Sequence, residues 1–142
     1  MSGKIVAIST NDEDDVPKMP HDYCASIEKN GLLGDYRGNR SGIILLDASV
    51  IRYINDTLSE QLVEGSLGEN ITTGNMEYLS QIPKGAFLDI GEKVTLLVEE
   101  QDPLIKYHPA LHNLLSGHAG ILCSVFKGIG KRIVLEDPIT VL

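Results

Sequence analysis

The chain has 142 residues, of which 42% are hydrophobic and 23% charged, and its formal net charge is −8 at pH 7. This length suits one domain with one core, and the composition is that of an ordinary globular protein rather than a collagen, a coiled coil or a disordered chain. The acidic balance argues against a nucleic-acid partner, because that binding depends on basic residues that displace counterions from phosphates. We therefore expect a single domain over residues 1–142.

The sequence predicts a cytoplasmic protein without a membrane segment. No apolar stretch approaches the ~20 residues needed to span a bilayer, and the N-terminal MSGKIVAIST lacks the long apolar run of a signal peptide. In such a compartment the two cysteines, Cys24 and Cys123, are expected to be free thiols. No CxxC motif and no cluster of cysteines with histidines has the spacing of a zinc site. His108 and His112 are four residues apart but have no nearby carboxylate at a fixed spacing, so no metal site is predicted.

The first half of the chain predicts short strands and one helix. KIVAIS (residues 4–9) and IILL (residues 43–46) have strand character. Asp47 is a good N-cap for a following helix, which Gly65 is expected to end. The apolar residues of this segment recur at helical spacing and form one stripe. They are Val50, Ile51, Ile54, Leu58 and Leu62.

The second half is richer in strands. AFLDIG (86–91) and KVTLLVEE (93–100), joined at a Gly-Glu pair, predict a hairpin. Pro109 is expected to start a second short helix, PALHNLL, closed by Gly117. Strand character returns at the C-terminal end in AGILCSVF, RIVL and PITVL. Many short strands with about two helices, and no repeating strand–helix alternation, predict a mainly β fold, either a barrel or a sandwich.

Two polar stretches interrupt these elements. GLLGDYRGNRSG (31–42) has four glycines in twelve residues, and SLGENITTG (66–74) carries more polar residues than a buried strand usually does. Lys18, Arg37 and Arg40 are cations in an acidic chain, and an arginine guanidinium suits a phosphate or another oxyanion.

The residues of the second polar stretch have two interpretations. Glu69 and Asn70 could orient an arginine or bind the polar edge of a heterocycle, while Thr72 and Thr73 would offer hydroxyls at a turn that Gly74 permits. Alternatively, Asp35, Arg40 and Glu69 form a buried network that only ties loops to the barrel. The sequence leaves both interpretations open.

Four segments, taken in their order and spacing, resemble a MOSC domain, the module at the C-terminus of molybdenum cofactor sulfurases, in its stand-alone form. The segments are GLLGDYRGNR, SLGENITTG, IPKGAFLDIG and AGILCSVFKGIGKRIVLEDPITVL. The matching positions are Lys18, Gly34 with Asp35, Arg40, GENITT at 68–73, Lys84 with Gly85, and Ile90 with Gly91. The resemblance implies a MOSC-type β-barrel, similar to the barrel inside pyruvate kinases, over nearly the whole chain.

The resemblance also implies a function. Such a domain is expected to bind the molybdenum cofactor (molybdopterin) or a related anionic small molecule, and to take part in sulfur transfer with a cysteine desulfurase or a molybdoenzyme as partner. Its pocket residues here would be Lys18, Asp35, Arg37, Arg40, Glu69, Asn70, Thr72 and Thr73. No pyridoxal phosphate is expected in this chain, because sulfurases hold it in a separate desulfurase domain.

One position departs from the family pattern. Family members carry a cysteine just after the long strand, where it is thought to hold sulfur as a persulfide, but here Pro103 is followed by Leu104. Cys123 and Cys24 are the remaining candidates for a reactive thiol, but for each we favour the interpretation as a small buried hydrophobic residue. Catalysis therefore stays open, and the alternative is a non-catalytic ligand-binding or accessory module.

Overall fold

The structure is a computed structural model, and it describes residues 2–11, 18–35 and 41–142. Its strands in chain order are β1 (Ser2–Thr10), β2 (Met19–Asp22), β3 (Cys24–Glu28), β4 (Gly31–Leu32), β5 (Ile43–Asp47), β6 (Ile71–Gly74), β7 (Phe87–Ile90), β8 (Val94–Gln101), β9 (Ile121–Lys127), β10 (Arg132–Val134) and β11 (Pro138–Val141). The α-helices of these residues are α1 (Ala48–Leu58) and α2 (His112–Leu115), and short 3-10 helices cover Leu79–Gln81, Pro103–Tyr107 and Pro109–Leu111.

Within the described ranges, seven strands close into a barrel. Their order around the ring is β11, β7, β8, β9, β5, β6 and β1, and β1 pairs with β11 to complete it. Neighbouring strands are antiparallel except β5 and β6, which are parallel and connected through α1, as a parallel pair requires. Register shifts between Ile5 and Ala7, and between Val98 and Glu100, are irregularities of the kind that bend strands at barrel walls. The mainly β barrel with two short helices is confirmed.

A small second sheet packs against the barrel. Its strand order is β10, β3, β4, while β2 pairs with β1 beside the ring. Ala25, Ile27, Leu32 and Ile133 of this sheet are buried and belong to the same hydrophobic cluster as the barrel strands. The small sheet therefore shares the barrel's core.

Strand β5 is buried on both faces. Ile43 and Leu45 belong to the main cluster, and the alternating residues Ile44 and Leu46 belong to a second cluster. Period-two alternation sends successive side chains to opposite faces, so a continuous apolar run is what this position requires. The second cluster packs α1 against the barrel, and its other members are Val50, Ile51, Ile54, Leu67, Leu104, Leu115 and Ala119.

Helix α1 is shorter than the apolar stripe predicted. Asp47 caps its start, accepting a hydrogen bond from the Ser49 amide, as expected. The helix ends at Leu58 rather than near Gly65, so the predicted end is wrong. Ser59 takes a left-handed conformation (φ 55°), and the Asn55 side chain exchanges two 2.9 Å hydrogen bonds with the backbone of Leu62. These bonds turn the chain back, so Leu62 packs on the second cluster from outside the helix.

The hairpin and the second helix agree with the sequence. Strands β7 and β8 pair directly, with Ile90 opposite Val94, and Gly91 in the turn has a positive φ of 60°. The segment from Pro109 begins as a 3-10 turn and continues as α2. In the part of the chain that the structure describes, no helix has the length and apolar character needed to cross a membrane.

Candidate functional site

A buried ion pair lies where β5 begins. The Lys18 ammonium is 2.7 Å from Asp35 Oδ1, and the two side chains are 5% and 0% exposed. Asp35 Oδ1 also accepts a hydrogen bond from the Asn11 backbone amide at 3.1 Å. One carboxylate therefore contacts residues on both sides of segment 12–17, and it lies directly before segment 36–40.

Asn70 joins this pair to the barrel wall. Its Nδ2 donates to Asp35 Oδ2 at 2.8 Å and to the Ser9 carbonyl at 3.3 Å, while its Oδ1 accepts from the Ile44 amide at 2.9 Å. The asparagine stands just before β6, beside the first residues of β5 and the last of β1. We call Lys18, Asp35 and Asn70 the motif cluster, because each occupies a position that the family resemblance assigns to the pocket.

Glu69 makes a separate set of contacts. Its carboxylate is fully buried and accepts hydrogen bonds from the backbone amides of Gly65 (3.0 Å) and Leu67 (3.2 Å). Burial raises its pKa, and the nearby Glu64 charge adds to that rise, while the backbone hydrogen bonds oppose it. His108 Nε2 lies 2.7 Å from the Leu67 carbonyl on the same turn. Glu69 thus holds the turn that leads into β6.

The two threonines lie on a strand, and the turn predicted for them is wrong. Both belong to β6, are fully buried, and pair with β5 opposite Leu46 and Asp47. Thr73 Oγ1 donates to Asp47 Oδ1 at 2.7 Å. The Thr72 hydroxyl has no hydrogen-bond partner among the described residues and no exposure. A ligand could reach it only if the surrounding chain moved.

Arg37 and Arg40, the two arginines predicted for the pocket, lie outside the described residues. Of the predicted cations, Lys18 is the one that the structure describes, and Asp35 compensates its charge. The structure brings Lys18, Asp35 and Asn70 together, places Glu69 on the adjoining turn, and sets Thr73 at the other end of β5.

The two cysteines differ in how far they are buried. Both are free, but Cys123 is fully buried in the barrel core, where burial raises its pKa strongly and the charge of Glu99 adds to the rise. Cys24 is partly buried on β3. Leu104, at the family's cysteine position, is 0% exposed in the second cluster. The surroundings of Cys123 therefore disfavour the thiolate that a sulfur carrier requires.

Sequence reasoning missed the role of Asp47. It was expected only as a helix cap, yet its two oxygens accept from the Ser49 amide and hydroxyl, the Thr73 hydroxyl and the Met76 amide. The distant partners come from β6 and the residues after it, which the sequence does not place beside Asp47. In the described ranges, no group of three His, Cys, Asp or Glu residues could hold a metal ion.

The comparisons with known proteins show the fold. No protein-family model matches the chain, and no curated protein matches it in sequence. Among solved structures, YuaD from Bacillus subtilis superposes with a TM-score of 0.78 at 17% identity, covering 98% of this chain and 94% of its own.

Two YiiM structures match over this whole domain as well. YiiM from Geobacillus stearothermophilus has a TM-score of 0.72 at 17% identity, with 99% of this chain and 75% of its own covered. YiiM from Escherichia coli has a TM-score of 0.70 at 20% identity, with 100% and 70% covered. YuaD and YiiM are MOSC-domain proteins. With a closed seven-strand barrel in its described residues and these neighbours, the chain has the fold of a stand-alone MOSC domain, as its motifs indicated.

Proposed function

We propose that this protein binds the molybdenum cofactor or a related anionic small molecule at the barrel end where β5 begins. One observation carries the proposal: three positions that the resemblance assigns to the pocket, 18, 35 and 70, meet in one buried hydrogen-bonded cluster. These positions are separated by 17 and 35 residues in sequence. Their convergence on one carboxylate is what a site assembled from loops at a barrel end requires.

The donors for the anion come from the two arginines. The Lys18 ammonium is already paired, and the amide of Asn70 is engaged on both sides, so neither is left to bind a phosphate. Arg37 and Arg40 follow Asp35 by two and five positions. In this proposal the motif cluster holds residue 35, and the guanidinium groups bind the oxyanion through paired hydrogen bonds. The cofactor, when bound, would supply a redox-active molybdenum centre.

The thiol positions favour a non-catalytic version of this function. Leu104 fills a place in the second cluster, and Cys123 is enclosed in the core, so neither position presents a sulfur nucleophile. We therefore propose a cytoplasmic ligand-binding or accessory module, which would receive or deliver the ligand to a desulfurase or molybdoenzyme. Sulfur transfer through Cys24 is the second candidate, since this thiol is only partly buried.

Ligand binding is tested on the purified full chain. Reconstitution with molybdenum cofactor, followed by metal analysis and pterin fluorescence, should show a stoichiometric complex. Arg40→Ala should weaken that binding at least tenfold, because it removes a charge-assisted paired contact, and should leave the thermal midpoint within about 3 °C. Arg52→Ala is the matched control, since Arg52 is exposed on α1.

The results separate the two interpretations of the polar residues. Loss of binding in Arg40→Ala with an intact fold supports a ligand site. Collapse of the fold in that variant would assign Arg40 to a structural network instead. Absence of bound molybdenum and pterin after saturating reconstitution of the wild-type chain would overturn the proposal.

The thiol question needs a different measurement. Incubation with a cysteine desulfurase and labelled cysteine should leave the protein without a stable persulfide. A persulfide mapped to Cys24, and lost in Cys24→Ser, would replace the accessory role with sulfur transfer.

A further inference from the structure

A cavity lies at the end of β5 that is opposite the motif cluster. It has a volume of about 430 Å³ and lies between the first turns of α1, the end of α2 and the residues after β6. The motif cluster is at the start of β5, five residues and therefore roughly 15 Å away along the strand. The volume of the cavity falls within the range of small-molecule sites. The cavity is thus separate from the site of the proposed function.

The cavity combines apolar and polar walls. Val50 and Leu114, which belong to or pack on the second cluster, supply an apolar surface, and the Tyr53 ring stands beside them, 53% exposed. His118 and the exposed Glu77 add polar groups. A ligand with both an apolar body and a polar head matches this division.

The polar groups of the cavity favour a positively charged head. The Glu77 carboxylate has neither an ion pair nor a hydrogen bond with the residues that the structure describes. The Ser49 hydroxyl gives its proton to Asp47 Oδ2 at 2.6 Å, so its oxygen is left as an acceptor. An aromatic face such as that of Tyr53 also attracts cations.

The positive end of the α1 dipole would oppose a cation at this place. Asp47, however, caps that end, and its carboxylate accepts from the Ser49 amide in the first turn. A full negative charge on the N-cap outweighs the roughly half-charge of the helix end. The net charge of −8 over the chain acts in the same direction. The field at the cavity is therefore favourable to an ammonium group.

We propose that this cavity is a binding site for a small amphipathic amine, with its ammonium group at Glu77 and the Tyr53 ring and its apolar part against Val50 and Leu114. The site is independent of the motif cluster. Because Glu77 and Tyr53 are exposed, the contacts are screened by solvent, and the affinity is expected in the high micromolar to millimolar range.

Three probes of similar size and different charge test the proposal: phenethylamine, 2-phenylethanol and 3-phenylpropanoate. Amide chemical shifts of the isotope-labelled protein are followed in each titration. Phenethylamine should give saturable shifts at Ser49, Val50, Tyr53 and Asn113, the alcohol weaker ones, and the carboxylate none. Equal shifts with all three probes, no saturation with the amine, or shifts centred elsewhere would overturn the proposal.

Two variants locate the contacts. Glu77→Gln should weaken phenethylamine binding roughly twofold to fivefold and leave 2-phenylethanol binding unchanged, as expected for an exposed ion pair. Tyr53→Leu should weaken the amine by a similar factor. Glu92→Gln, at the exposed β7–β8 turn, is the control that removes the same charge elsewhere. If Glu92→Gln weakens amine binding as much as Glu77→Gln does, the preference reflects net charge and not this site.

Discussion

Two buried aspartates stand near the two ends of β5, and their partners differ in charge. Asp35, near the start, is paired with the Lys18 ammonium and receives the Asn70 amide. Among the described residues, Asp47, at the end, receives neutral donors from Ser49, Thr73 and Met76. These contacts place no second buried charge beside it. A buried ammonium has a desolvation penalty that an anionic partner must offset, so Lys18 makes the first end far more sensitive to single substitutions.

The largest effect is expected for Lys18→Met. The substitution leaves Asp35 buried without its ammonium partner, and we expect the free energy of unfolding to fall by about 3–5 kcal/mol. Urea denaturation measures this change. The double variant Lys18→Met/Asp35→Asn should recover most of the loss, because the amide keeps an oxygen for Asn70 and carries no charge. A single-variant loss below about 1 kcal/mol would show that another group compensates Asp35.

Asp47→Ala is expected to cost about 2–4 kcal/mol. It removes the N-cap of α1, worth about 1 kcal/mol, and leaves the buried Thr73 hydroxyl and the Met76 amide without their acceptor. Urea denaturation with circular dichroism at 222 nm reports both stability and helix content. Asp47→Asn keeps one acceptor oxygen and should lose about half as much. If the two variants lose equally, charge at the helix end and not hydrogen bonding governs this site.

The sequence predicted the local elements better than the contacts between distant segments. Strand IILL, the Asp47 cap and the hairpin follow from local pattern, turn chemistry and propensity, and these are the elements that the structure confirms. The end of α1 was missed because side-chain bonds between Asn55 and Leu62, seven residues apart, override the apolar periodicity.

The polar stretch before and within β6 shows why the site was harder to predict. Gly74 led to the prediction of a turn at Thr72 and Thr73, but Thr73 lies on a strand and donates to Asp47, 26 residues away in sequence. Lys18, Asp35 and Asn70 were each named as pocket residues, while their pairing is a tertiary contact that no local pattern encodes. No sequence pattern predicted the cavity beside α1, since its walls come from three separate segments.

The buried carboxyl of Glu69, beside the motif cluster, is expected to make the stability of the protein depend on pH. Burial raises the pKa of Glu69 above its ordinary 4.5, so between pH 4.5 and the raised value the folded protein binds a proton that the unfolded chain does not. Stability from this group is therefore lost as pH rises through that window, the reverse of the usual behaviour of a paired carboxylate.

Glu69→Gln should remove this pH dependence. The free energy of unfolding of the wild type minus that of the variant is expected to decrease as pH increases from 4.5 and then to level off, when both are measured by urea denaturation. Glu77→Gln, an exposed change of the same chemistry, is the control for the substitution itself. A difference that rises with pH for Glu69→Gln would mean that the two backbone amides of Gly65 and Leu67 outweigh burial.

The smallest effects on stability, and the most direct on chemistry, concern the thiols. Ellman's reagent should label one cysteine per chain under native conditions, Cys24, and the second only after unfolding, because Cys123 has no exposure and burial raises the pKa of its thiol.

Leu104→Cys restores a cysteine at the family's position and should cost roughly 1–3 kcal/mol as a smaller side chain in the second cluster. Since that position is 0% exposed, the new thiol should also stay unlabelled in the native protein. Fast labelling of Leu104→Cys with Cys24 replaced by serine would show that the segment after β8 opens in solution. Leu104 would then replace a reactive thiol at a position that reagents can reach. Slow labelling would mean that packing in the second cluster keeps this position closed to reagents.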